Sequence, residues 1–161
     1  MARSSIYTSW NDTNNLESEL TLRPHHLLCL HGFHGYGYTK EFIQNMYEVL
    51  QKLISNPNQL VSLHIGFDII CNACTDKNRS ICVHPDSLTN KIDKRLLHQL
   101  KSKRLKRIPL TQLLILLYKN IQARRLHRIC RSCKWQELGF CITGFKEKRL
   151  LNLLYTKENL L

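Results

Sequence analysis

Cysteine occurs twice in the same frame. CNACTDKNRSIC, from Cys71 to Cys82, and CRSCKWQELGFC, from Cys130 to Cys141, both follow C-x2-C-x7-C and use six of the chain's 7 cysteines. A C-x-x-C turn sets two sulfurs on one side of a tight loop, close enough to grip one metal atom or cluster. The third sulfur must return from seven residues away. Each frame therefore supplies three soft ligands, whereas zinc sites and iron–sulfur clusters usually take four. Three arrangements meet that count. The two C-x-x-C pairs can join in one site, with Cys82 and Cys141 packed beside it. Each frame can instead recruit a fourth ligand: His84 for the first, and His127, His25, His26 or Cys29 for the second. Or one frame with an outside residue holds a cluster and the other forms a separate site. The spacing leaves all three open.

Other chemistry-bearing residues gather in TLRPHHLLCLHGFHGYGY, which begins at Thr21. His25 and His26 are candidate ligands or proton donors beside a metal, and Arg23 is a candidate anion binder. Cys29 lies among Leu27, Leu28 and Leu30 and reads equally well as a small buried apolar group. Gly32, Gly35 and Gly37 fall among His31, His34, Tyr36 and Tyr38, which signals a loop whose backbone bends sharply and whose side chains can line a pocket. Asp68, three residues before Cys71, is placed to accept from the amides of the cysteine turn or to orient a ligand. Trp135 is placed to cover the site. No nucleophile elbow, P-loop, dinucleotide fingerprint or His-Glu-x-x-His is present. An enzymatic role is left open.

Taken in order, LRPHHLLCLHGFHGYGYTKEFIQNM, FDIICNACTDKNRSIC and CRSCKW resemble a small prokaryotic family, domain of unknown function 1284. The resemblance runs from about Leu22 to Cys141. It implies no established activity, but it does imply iron–sulfur binding, with [4Fe–4S] as the candidate cluster and zinc as the alternative cofactor. Thr75 stands where that family tends to have proline.

Elements must carry these residues. Pro24 biases Arg23 toward an extended conformation, so TLR reads as a short strand or extended entry. Thr39 can cap a helix whose Phe42, Met46, Val49, Leu50 and Leu53 share one face, ending near Asn56-Pro57. LVSLHIGF, from Leu60 to Phe67, alternates as a half-buried strand and delivers the chain into the first frame. Ile92, Leu96, Leu97 and Leu100 predict a second helix that ends in the basic run KSKRLKR. Pro109 opens a third, running through Leu110, Leu113, Leu114, Leu117, Tyr118 and Ile121 toward Ile129. The tail after Gly144 predicts a last helix. The expected fold is mostly α, with a short strand or small sheet, in one compact domain stapled by the cysteine site. Residues 1–20 read as a disordered leader, 21–145 as the metal- or cluster-binding domain, and 146–161 as a basic helical tail.

The charge is uneven. Residues 1–89 carry 6 Lys and Arg against 8 Asp and Glu, while residues 90–161 carry 18 against 4. The alternative function is a zinc-stapled nucleic-acid-binding module using Lys103, Arg104, Lys106, Arg107, Arg124 and Arg125. Those residues are not interleaved with aromatic side chains for stacking bases, so nucleic acid is the less favoured partner. The favoured one is an unidentified redox or protein partner. No apolar run approaches the roughly 20 residues of a membrane span, and no secretory h-region is visible. The expected location is a reducing cytoplasm, where cysteines serve as thiols or ligands.

Overall fold

A computed structural model describes residues 19–78, 81–82, 88–101, 105–131 and 133–158 of the 161. The expected leader (residues 1–18), His84, Lys103 and Arg104 lie outside them.

Strand β1 (Leu20–Leu22) begins the described chain and pairs in parallel with β2 (Leu60–Leu63), Leu20 opposite Val61 and Leu22 opposite Leu63. Between them lie helices α1 (Pro24–Gly32) and α2 (Lys40–Ile54). Thr39 caps α2, its Oγ1 accepting from the Phe42 amide at 3.1 Å. The predicted face of α2 is the buried one: Phe42, Met46, Val49, Leu50 and Leu53 all enter the core, each contributing roughly 1.5–3 kcal/mol.

After β2 the chain forms a 3-10 turn at Ile70–Ala73 and a two-stranded ribbon, β3 (Lys77–Asn78) with β4 (Ile81–Cys82). Helix α3 (Leu88–Gln99) follows, then β5 (Leu105–Pro109), which pairs antiparallel with β2 to give the sheet order β1-β2-β5. Helices α4 (Leu110–Asn120), α5 (Ala123–Ile129), α6 (Phe140–Lys146) and α7 (Arg149–Glu158) complete the described chain. The fold is mostly helical with a small sheet, as the periodicities predict.

Four local expectations change. Gly32 is not part of the glycine loop but the last residue of α1, which begins at Pro24, where a missing amide costs nothing. The predicted strand stops at Leu63, and Ile65 is exposed. The basic run does not simply end a helix: Leu105–Pro109 is a strand, its exposed Lys106 and Arg107 at the sheet edge. The helix from Leu110 does not reach Ile129 in one piece. It ends at Asn120, and buried Ile121 takes an extended conformation before α5 starts.

Two glycines set the approach of the first and sixth helices. A Cβ on Gly32 would strike the backbone of Cys141, and a Cβ on Gly144 would strike the carbonyl of His31. The helices α1 and α6 therefore cross with their backbones in contact. On each, a cysteine lies three residues earlier and so on the same face: Cys29 before Gly32, and Cys141 before Gly144. Leu150 and Leu154 of α7 are buried, and Arg149 Nη1 donates to the Phe33 carbonyl at 2.6 Å. No described helix is long and apolar enough to cross a membrane.

Candidate metal centre

The two C-x-x-C segments close with the same backbone bond. Cys74 N donates to Cys71 O at 3.1 Å, and Cys133 N donates to Cys130 O at 2.7 Å. Their third cysteines return by different routes. In the first frame the β3–β4 ribbon places Cys82 opposite Lys77 and folds it back toward the turn. In the second, a 3-10 turn at Gln136–Leu138 leads into α6, whose first turn carries Cys141.

Both frames reach one cavity. Cys71, Cys74 and Cys82 line it together with Cys29, Cys133 and Cys141, and its volume is about 120 Å³. His25 and His26 also line it, with an aromatic wall that includes Tyr36, Trp135 and Phe140. Trp135 Nε1 donates to Tyr38 Oη at 3.1 Å, tying two residues of the cavity lining together. A smaller space of about 30 Å³ is lined by Cys29, Cys130, Cys133 and Cys141, and by none of the first frame. None of the seven cysteines forms a disulfide.

The sulfurs shift one another within these same groups. Cys29 donates to Cys141, which raises the first thiol and lowers the second, and Cys133 and Cys130 raise Cys29 further. Burial, with Cys133 and Cys141, pushes Cys130 up to about 12. Burial and the Asp68 carboxylate likewise push Cys71 up to about 12. Burial raises Cys74, with Asp76 and Cys82 adding to it. Thiols crowded together and buried hold their protons when alone, and a cation releases them.

Beneath the cavity lies a buried ionic network. Arg23 is 2% exposed, Asp93 0% and Asp68 6%. Arg23 Nε donates to Asp93 Oδ2 at 2.8 Å, with Nη2 ion-paired 2.7 Å from the same oxygen, and the Arg23 amide donates to Asp68 Oδ2 at 2.7 Å. Asp93 Oδ1 takes the His25 amide at 2.9 Å and His25 Nδ1 at 2.7 Å. Asp68 Oδ2 takes His26 Nδ1 at 2.7 Å, while its Oδ1 takes the amides of Ile70 and Cys71 at 3.0 and 3.1 Å.

Burial opposes ionisation of both acids. The histidines, helped by Arg23 at Asp93 and by the backbone amides at Asp68, nonetheless lower both, Asp68 to well below the usual carboxylate range. Burial and the neighbouring His26 bring His25 down to about 4 against the pull of Asp93. Each Nδ1–H is thus given to a carboxylate, leaving Nε2 as the ring nitrogen with no protein partner among the described residues. A carboxylate that fixes the tautomer of a histidine in this way is the usual support of a metal ligand.

Among the described residues, only His26, Asp68 and Cys71 bring three candidate ligand atoms within 4.8 Å of one another. The other residues that spacing nominated are placed as follows. His127 is exposed on α5, its carbonyl accepting from Gln136. Lys106 and Arg107 lie on β5, the latter paired with Glu19 at 3.3 Å. Arg124 and Arg125 lie on α5, bonded to Gln122 and Gln99. Sequence reading missed Asp93, Thr89 and Asn90, which gather around the Arg23 guanidinium. The signal for Asp93 was a carboxylate next to Ile92 on the face of α3 that also carries Leu96 and Leu97, where a lone charge requires a buried partner.

Residues 37–139, more than half of the chain, match the family described as Protein of unknown function (DUF1284). The chain belongs to this family. The matched span holds both C-x-x-C pairs, whereas the RPHHLLC run and Cys141 lie outside it. No curated protein and no solved structure matches the chain. The arrangement itself is a cysteine-rich site, with a His, Asp and Cys group spaced for a metal ion.

Proposed function

We propose that this member of the family is a cytoplasmic iron–sulfur protein whose cluster is held by Cys29, Cys130, Cys133 and Cys141, with electron transfer or redox sensing as its task. The observation that carries the reading is the four-sulfur space between α1, the end of α5 and the start of α6. Four thiolates from three elements are the donor set that [4Fe–4S] clusters take. A single zinc ion bound by four thiolates needs sulfurs about 3.8 Å apart, the spacing of a tetrahedron with bonds of about 2.3 Å. Among the described residues no three sulfurs lie within 4.8 Å of one another. Free thiols throughout the chain fit a reducing compartment.

When bound, the cluster supplies a one-electron couple. The protein's own residues set its surroundings. The Gly32–Gly144 crossing brings Cys29 to Cys141, and Arg95 Nη1, donating to the Ile129 carbonyl at 3.2 Å, holds a positive charge beside Cys130. Trp135 and the aromatic wall limit water.

The test is anaerobic purification with iron, acid-labile sulfide and absorption measured together. Brown protein with iron and sulfide in equal amounts is expected, and the Cys29→Ser variant loses most of the colour. Colourless wild-type protein holding only zinc defeats the proposal.

A further inference from the structure

We infer that the groove between α3 and α5 is a docking surface for a small acidic electron-carrier protein. The inference deepens the cluster reading and rests on it for the redox role of the partner.

The first observation is charge. Lys94, Lys101, Lys119 and Arg125 line one end of the groove, and Arg95, Arg128 and Arg131 join at the other. Lys94, His98 and Arg125 line both ends, so the groove is continuous. No Asp or Glu lines it, and among the described residues no carboxylate pairs with any of these cations. Helices α3, α4 and α5 all end at this face, and each C-terminus carries about half a negative charge. The seven lysines and arginines exceed that total several-fold, so the groove is electropositive beyond what the helix ends require.

The second is position. Arg128, Ile129 and Arg131 line the groove and flank Cys130, and Arg95 Nη1 donates to the Ile129 carbonyl at 3.2 Å. The groove thus ends one residue from Cys130, which belongs to the four-sulfur space. A partner steered into it by charge arrives beside the cluster.

The third is the lining. Exposed Ile65 lies at the end away from Cys130, among lysines and the amides of Asn120 and Gln122. A small apolar contact within a charged rim suits a transient protein complex. No Phe, Tyr or Trp lines the groove to stack bases. A concave face also presents no helix to the groove of a duplex, so an acidic protein is the better fit. In the exchange the reduced carrier loses one electron and the oxidised cluster gains it; no bond forms or breaks and no proton moves.

The probe is a plant-type [2Fe–2S] ferredoxin, small and acidic, fluorescently labelled and titrated with the full chain purified anaerobically. Binding seen at about 20 mM salt should weaken at least about tenfold at about 200 mM, as screening shortens the reach of the charges. Arg125→Glu with Arg128→Glu should weaken low-salt binding at least about tenfold and slow reduction of the protein's chromophore by reduced ferredoxin. Lys40→Glu with Lys52→Glu, exposed on α2, makes the same change in net charge. That control should shift affinity by less than about threefold. Should the arginine variant fail to fold, Lys94→Glu with Lys101→Glu supplies the same reading from the α3 side of the groove.

No binding at low salt, equal weakening in the groove and control variants, or displacement of ferredoxin by an equal concentration of duplex DNA overturns the docking surface. Colourless wild-type protein that still binds ferredoxin through the groove defeats the cluster reading alone. Coloured protein that does not bind it defeats the docking surface alone.

Discussion

Cys29 and Cys141 meet because each stands one helical turn before a glycine, and those two glycines are where α1 and α6 touch. The sulfur contact is thus a by-product of backbone contact, and changing the glycines changes the site without changing a cysteine.

Gly144→Ala drives a methyl group into the His31 carbonyl. Overpacking of this kind costs about 1–3 kcal/mol. Urea unfolding should show that loss, and metal content per folded chain should drop with it. A variant with wild-type stability and full metal content would mean that the helices can separate freely.

Asp93→Ala leaves the Arg23 guanidinium buried without its carboxylate. Removal of one partner from a buried pair costs about 3–5 kcal/mol. The variant should unfold at a much lower urea concentration, while Arg124→Ala, at an exposed position on α5, should change stability by less than about 0.5 kcal/mol.

Asn45 of α2 holds the first cysteine turn, its Nδ2 donating to the carbonyls of Ile69 and Ile70 at 3.1 and 3.2 Å. Asn45→Ala should cost about 1–3 kcal/mol by orphaning those carbonyls. Amide exchange at Cys71 and Cys74 should quicken more than exchange in α4.

His31 contributes a pH dependence of its own, alongside His25. It is fully buried, with Nδ1–H donating to the Leu27 carbonyl at 2.9 Å and Nε2 accepting from Tyr118 Oη–H at 2.8 Å. Burial brings it down to about 4 from the ordinary 6.5. Between those values the unfolded chain binds the proton and the folded chain does not, so stability is full above pH 6.5 and drains as pH falls toward 4. The slope from this residue is about 1.4 kcal/mol per pH unit. His31→Gln should flatten the stability curve over that window, and a slope identical to the wild type would exclude His31 as its source.

The face of α2 was legible because five apolar side chains repeat at helical spacing with a capping threonine before them. The two cysteine frames were legible because ligand spacing is a local property. What joins them was not. Gly32 read as part of a sharply bending loop, because nothing near it in sequence announces a helix 109 residues later that needs its missing side chain. Asp93 was passed over on an otherwise ordinary amphipathic helix, since its partners, Arg23 and His25, are about 70 residues away. Strand β5 was hidden by its lysine and arginine, which sit on an edge and say little about backbone pairing.

The crossing at Gly32 and Gly144 also constrains when the protein can be finished. Helix α1 is made well before its neighbours α6 and α7, which follow it by more than 100 residues. Until then Leu27, Leu30 and Cys29 have no complete packing surface, and the nascent chain waits with an unfinished interior. The four-sulfur pocket therefore cannot close before α6 has been made, and truncation just before α6 should give a chain that chaperones retain and proteases remove.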